Sequence, residues 1–275
     1  MSPLDDPSTF LQLALLLAAT GIVGGVLAGL LGVGGGIVIV PVLYHVFSYL
    51  DIDAAIRMHL AVGSSVAIIV PTALRSFLSH RAHGAVDMDL LRSWVIVVPL
   101  GAIAATLVAS AAPGAALRTV FAIVAVVFGT RLLTPYVNWQ IGARLPGGPV
   151  RAMVGAAIGF TSALLGIGGG ILNNTFMTLF GRSIRQAVAT SSGVGALLSI
   201  PAVVGFIWAG WGVADRPPYT VGYLNLPAIA LIIPISVTAA PFGVRLAHRL
   251  PRRYMEVGFG IFLLIVAVRF AWTLV

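Results

Sequence analysis

The chain has 275 residues, of which 59 % are hydrophobic and only 9 % charged, whereas soluble domains carry roughly 25 % charged residues. That composition, with a mean hydropathy of +1.05, excludes a soluble enzyme, a disordered chain and a receptor with a sizeable extramembrane domain, and leaves an all-α polytopic membrane protein. The net charge of +8 is carried wholly by Arg, which in a membrane protein marks cytoplasmic loops, and with no basic stripe or basic helix the chain has no nucleic-acid partner.

In chain order, the N-terminus MSPLDDPSTF carries two Asp and no basic residue, so it is not a secretory signal with a basic n-region. Hydrophobic runs then predict ten membrane segments, at 10–31, 36–50, 57–79, 93–111, 115–133, 150–166, 169–180, 186–208, 223–246 and 254–273. A full span needs about 20 apolar residues. The second and seventh segments are short, covering roughly 18–23 Å at about 1.5 Å per residue, and each directly follows a glycine cluster. The absence of Cys removes disulfides, thiolate metal sites and thiol chemistry.

The glycine clusters repeat. Leu30-Leu31-Gly32-Val33-Gly34-Gly35-Gly36-Ile37 returns 134 residues later as Leu164-Leu165-Gly166-Ile167-Gly168-Gly169-Gly170-Ile171. Gly63-Ser64-Ser65 pairs with Thr190-Ser191-Ser192, Pro99-Leu100-Gly101 with Pro241-Phe242-Gly243, and Pro113 and Phe121 with Pro251 and Phe259. Four matches in the same order indicate a duplication: a first transmembrane repeat at 1–133, a cytoplasmic connector at 134–149 and a second repeat at 150–275. With ten crossings, twelve Arg fall on one side and four on the other, which places both termini outside the cytoplasm. Five segments per repeat is an odd number, so the second repeat is expected to be inverted relative to the first.

Inverted repeats with short glycine-interrupted segments at matching places mark secondary transporters. Irregular backbone at membrane depth persists only where it is buried in protein or lines an aqueous cavity. Gly34, Gly35, Gly36, Gly168, Gly169 and Gly170 are candidate anion-binding backbone, because helix N-termini and consecutive N–H groups bind anions without a cation. Close helix packing is the competing reading of the same glycines. Beside them, Asn173, Asn174 and Thr175 stand where the first repeat has Ile39, Val40 and Pro41. Ser64, Ser65, Thr190 and Ser191 complete the candidate substrate-binding set, although Ser and Thr also bond back to their own helix. His59, its counterpart Gln186, and Glu256 are candidate coupling residues. Pro71 and Pro201 are candidate kinks in moving helices.

All eight acids except Glu256 fall in loops, and Glu256 lies in the first turn or so of the last segment. No carboxylate stands mid-membrane, where proton- and sodium-coupled carriers commonly hold one. An inside-negative potential drives an anion outward by about 2.3 kcal/mol per charge per 100 mV, so export needs no coupling ion. No catalytic residue, metal ligand or cofactor site is indicated. Gly32-x-Gly34 lacks the third glycine of a dinucleotide fingerprint and any strand–helix setting. His59 with Ser64 or Ser65 lacks a nucleophile elbow.

The paired GLLGVGGGI and ALLGIGGGI, the ATSS stretch at 189–192, RAHGAVD at 81–87 and GYLNLPAI from Gly222 resemble the TauE/SafE sulfite-exporter family over nearly the whole chain, from about residue 15. The resemblance implies a bacterial inner-membrane permease for a small sulfur-containing anion such as sulfite, sulfoacetate or another organosulfonate. It leaves the anion and the direction of movement open. The reading is therefore a secondary transporter that exports such an anion by alternating access, with the substrate and the lipid bilayer as its partners. Proton-coupled uptake of the same anions and a non-transporting membrane scaffold subunit are the alternatives.

Overall fold

The computed structural model describes residues 6–32, 34–134, 140–214, 216–247 and 252–272, with the main chain alone at 252, 254–256 and 259. The described residues form eleven helices: α1 (Pro7–Leu31), α2 (Gly36–Tyr49), α3 (Ala54–Ala82), α4 (Met88–Ser93), α5 (Val97–Ala111), α6 (Gly114–Leu133), α7 (Gly148–Leu165), α8 (Gly170–Leu179), α9 (Ile184–Ala209), α10 (Leu226–Ala247) and α11 (Arg252–Trp272). Two short antiparallel strands, β1 (Thr220–Val221) and β2 (Leu224–Asn225), form a hairpin before α10.

Helices α1, α3, α6, α7, α9 and α10 are each long and apolar enough to cross a bilayer, and α2 and α5 are shorter apolar helices. The ten expected segments correspond to the ten helices other than α4. Two details differ from expectation. The fourth segment starts later, because Asp87 caps the separate six-residue α4 through the Leu90 N–H and α5 begins only at Val97. The ninth starts later too, because residues 223–225 belong to the hairpin.

Several helix starts have a local cause. At α1, Asp6 accepts from the N–H groups of Ser8 and Thr9 and from both hydroxyls. Hydrogen bonds from Ser8 and then Thr9 hold its carboxyl down to about 2. Asp53 and Ser183 cap α3 and α9 in the same way. Pro71 and Pro201 lie inside α3 and α9, and both helices continue through them.

Packing follows small residues, as expected where lipid provides no hydrophobic drive for helix association. Helix α1 lies on α10, with Gly25 and Gly29 against the backbone of Ser236 and Ala240 and Gly243 against that of Val26. Helix α5 lies on α7, with Gly101 against Ala156 and Gly159 against Val98. Helix α3, the most buried of the long helices, packs on α9, and α6 packs on α11. Leu15, Leu107, Val127 and Val204 face outward, as lipid-facing positions do.

Candidate functional site

The two glycine clusters end one helix and start the next with no intervening side chain of any size beyond Val33 and Ile167. Gly32 (φ 67°) ends α1 and Gly166 (φ 68°) ends α7, both left-handed. Gly35 (φ 76°) and Gly169 (φ 74°) then start α2 and α8, again left-handed and without a side-chain cap. Only glycine takes this backbone without strain. In α8 the first helical bond runs from Asn173 N–H to the Gly169 carbonyl. The buried N–H groups of Gly170 and Ile171 therefore have no acceptor among the described residues.

The two turns meet. A Cβ at Gly34 would stand 3.2 Å from the Gly168 Cα, and one at Gly36 would run into the Gly166 carbonyl oxygen. Each turn also seats on the partner half's long helix. A side chain at Gly32 would strike the Val188 carbonyl, and one at Gly166 would press on Val62 and Val40. An apolar crevice lined by Ile37, Leu165, Ile167 and, from α6, Phe121, Val124 and Ala125 flanks the junction.

Polar groups tie this junction together. The buried Ser65 hydroxyl donates to the Gly166 carbonyl at 2.9 Å. Asn173, fully buried, donates from Nδ2 to Ser191 Oγ at 2.7 Å. The Ser191 hydroxyl has two acceptors at 2.8 Å, Asn174 Oδ1 and the Ala187 carbonyl. Asn174 Nδ2 donates to the Leu31 carbonyl at 2.9 Å, capping an orphan carbonyl at the end of α1. Two buried side-chain atoms at the second turn have no partner among the described residues, Asn173 Oδ1 and Ser162 Oγ. Ser162, on α7, was not among the residues expected from sequence. Its one signal is that the first half has Ala28 at the matching place.

Ser64 and Thr190 do a different job from the glycine turns. Ser64 Oγ accepts from the Asn225 N–H at 2.9 Å, and Asn225 Oδ1 accepts from the Ala228 N–H at the start of α10. Thr190 Oγ1 accepts from the Asp87 N–H at 2.9 Å, and Asp87 Oδ1 accepts from the Leu90 N–H at the start of α4. Each hydroxyl thus holds a helix-capping residue from the other half, and Arg182 adds a 3.6 Å ion pair to Asp87. These contacts correct the pairing expected above: Ser64 corresponds to Thr190 and Ser65 to Ser191, one residue off the Gly-Ser-Ser with Thr-Ser-Ser register. They also explain RAHGAVD and GYLNLPAI, whose Asp87 and Asn225 are the caps. Thr190→Val keeps the shape but strands the Asp87 N–H, and is expected to cost about 1–3 kcal/mol. The melting temperature in detergent checks this, and Thr190→Ser should restore it.

The candidate coupling residues are spread out. His59 Nε2 lies 3.0 and 3.1 Å from the carbonyls of Ala109 and Ala112 at the end of α5, and its ring stacks on Tyr223 at 4.9 Å. Facing two carbonyls, Nε2 carries the proton and donates. Gln186 is half-buried in the first turn of α9, and its carbonyl accepts from Thr190. The Glu256 side chain lies outside the described residues. Arg57 and Arg118 flank the Tyr44 ring, and Arg118 donates to its hydroxyl at 2.9 Å. Among the described residues no group of three or more His, Asp or Glu is placed to hold a metal ion.

Comparison with known proteins places this architecture. The family model for sulfite exporter TauE/SafE matches residues 17–270. A "Probable membrane transporter protein" of Haemophilus influenzae is 33 % identical over 94 % of this chain and 97 % of its own length. A protein of the same description in Methanocaldococcus jannaschii is 25 % identical over 90 % of this chain and 91 % of its own length. The Bacillus subtilis YunE protein, also described as a probable membrane transporter, is 33 % identical over 26 % of each chain. No solved structure matches the chain significantly. A match across nearly the full length, on a scaffold of membrane-length helices, makes this chain a multi-pass membrane transporter that belongs to the TauE/SafE sulfite exporter family.

Proposed function

We propose that this transporter exports a small sulfur oxyanion, such as sulfite, sulfoacetate or another organosulfonate, across the bacterial inner membrane by alternating access between two inverted repeats. The observation that carries this reading is the meeting of the two glycine turns, where Gly34 and Gly36 touch the backbone of Gly168 and Gly166. Exchanging the two halves turns each main helix contact into another. The α1–α10 pair becomes α7–α5, α3–α10 becomes α9–α5, and α3–α9 and α6–α11 map onto themselves. The capping ties Ser64–Asn225 and Thr190–Asp87 exchange in the same way. A pseudo-two-fold relation between the halves gives this pattern, and the odd number of segments per half is the reason for taking its axis in the membrane plane.

Ten crossings with both termini periplasmic fit the exposed aromatics as well. Tyr49, Trp208, Trp211, Tyr219 and Trp272 all come to the outer side in that topology, where an interfacial belt belongs. In the structure the turns are closed on each other, so the anion is admitted when they part. Gly34–Gly36 and Gly168–Gly170 then offer backbone donors, with Asn173, Asn174, Ser65 and Ser191 around them. Ser64 and Thr190 hold each half to the loops of the other while the turns move.

Export draws on the membrane potential alone in this reading. For one negative charge, 100 mV is worth about 2.3 kcal/mol, or about a 50-fold equilibrium ratio. Proteoliposomes with an imposed potential and no proton gradient should move sulfite in the direction the potential dictates, and reversing the potential should reverse the flux. Flux that needs a proton gradient would replace export with proton-coupled uptake. No sulfite flux under any gradient would rule out sulfite as the transported anion. The engagement of His59 Nε2 with the Ala109 and Ala112 carbonyls favours the uncoupled reading.

A further inference from the structure

We infer that the two turns contribute unequally, and that the anion sits on the second one, held by the Gly170 and Ile171 N–H groups together with the Ser162 hydroxyl. This inference rests on the reading of the glycine turns as the anion site and says where in that site the anion binds. Ser162 is fully buried, and its oxygen has no hydrogen-bond partner among the described residues. It lies beside the glycine that starts α8, since a Cβ at Gly169 would be 3.5 Å from it.

A buried hydroxyl without a partner is costly, by the full desolvation of the group. Ser normally escapes that cost inside a helix by bonding to a carbonyl three or four residues back. Ser192, Thr72 and Thr175 do so in this protein, and Ser162 does not. Its hydroxyl is therefore available as a donor beside the donors of α8.

The first turn has no counterpart. Ala28 stands in the place of Ser162, and Ile39, Val40 and Pro41 stand where the second half has Asn173, Asn174 and Thr175. At the first turn's helix start, Gly36 abuts the Gly166 carbonyl, which accepts from Ser65. An acceptor already faces that turn, which suits a plug better than an anion seat. Of the two unpartnered atoms at the second turn, Asn173 Oδ1 is an acceptor, so only Ser162 serves an oxyanion.

Ser162→Ala tests this through three readouts. Because the hydroxyl satisfies nothing in the closed state, the unliganded variant should melt at or above the wild-type temperature in detergent. The stabilisation that sulfite gives the wild type should shrink, and the half-saturation for sulfite flux in proteoliposomes should rise by between about tenfold and about a hundredfold. A variant that melts lower without ligand yet keeps the wild-type sulfite shift and half-saturation makes Ser162 structural and overturns the inference. If wild type transports sulfite and Ser162→Ala does so with unchanged half-saturation, the site reading stands and the asymmetry falls. If sulfite neither stabilises nor crosses with the wild type, the proposed function falls first, and the inference with it.

Discussion

Gly36→Ala is expected to lower sulfite flux by about a hundredfold while the protein still inserts and folds. The backbone of Gly36 is ordinary helix, not left-handed, so alanine is locally acceptable and even favoured by about 1 kcal/mol in a helix. The obstacle is in the partner half. The new methyl would run into the Gly166 carbonyl oxygen and press within 2.7 Å of Ile69 Cδ1 and 2.9 Å of Ser65 Oγ. Side chains can yield, but the carbonyl belongs to a turn fixed by left-handed glycines at both ends. Overpacking costs about 1–3 kcal/mol, and against backbone the upper end applies, which corresponds to about a hundredfold in rate. The substitution therefore disfavours the closed arrangement of the turns, through which alternating access must pass.

The same variant carries a structural readout. The chain has no Cys, so a single cysteine at the buried Ile69 reports whether the junction opens. In the parent it should resist a water-soluble maleimide, and with Gly36→Ala it should label. Wild-type flux together with a labelled cysteine would show that the turns need not close.

Asn174→Asp is expected to raise the half-saturation for the anion by about a hundredfold. Asn174 donates from Nδ2 to the Leu31 carbonyl and accepts from Ser191, so it sits between the end of α1 and the second turn. A carboxylate there removes a donor and sets a negative charge against the substrate. Two unit charges about 6 Å apart, at an effective dielectric constant of about 20, repel by about 3 kcal/mol, or about a hundredfold in affinity. Asn174→Leu removes the same donor without adding charge and should cost far less affinity. Equal effects from Asp and Leu would assign Asn174 to capping α1 alone and take it out of the anion's field.

Much of this architecture is legible before any coordinates, for identifiable reasons. A lipid-facing helix must be apolar over its length, so the ten apolar segments stand out by composition. The turns stand out because five left-handed positions, Gly32, Gly34, Gly35, Gly166 and Gly169, admit essentially one residue type. Helix α4 does not stand out, because six residues capped by Asp87 carry too few apolar positions for a periodic pattern. The roles of Ser64 and Thr190 were hidden for another reason. Their partners lie 161 and 103 residues away, and nothing local distinguishes a hydroxyl that ties two halves together from one that bonds to its own helix. Ser162 was hidden most completely, since its character lies in the bond it does not make.

In the proposed mechanism the glycine turns seat the anion. Anomalous diffraction from crystals soaked in selenite, a heavier analogue of sulfite, tests that directly. The strongest peak should lie within hydrogen-bond reach of the Gly170 N–H and the Ser162 hydroxyl, with Gly34 and Gly168 drawn apart. A strongest peak beside Arg57 and Arg118, with the two turns still in contact, would contradict it.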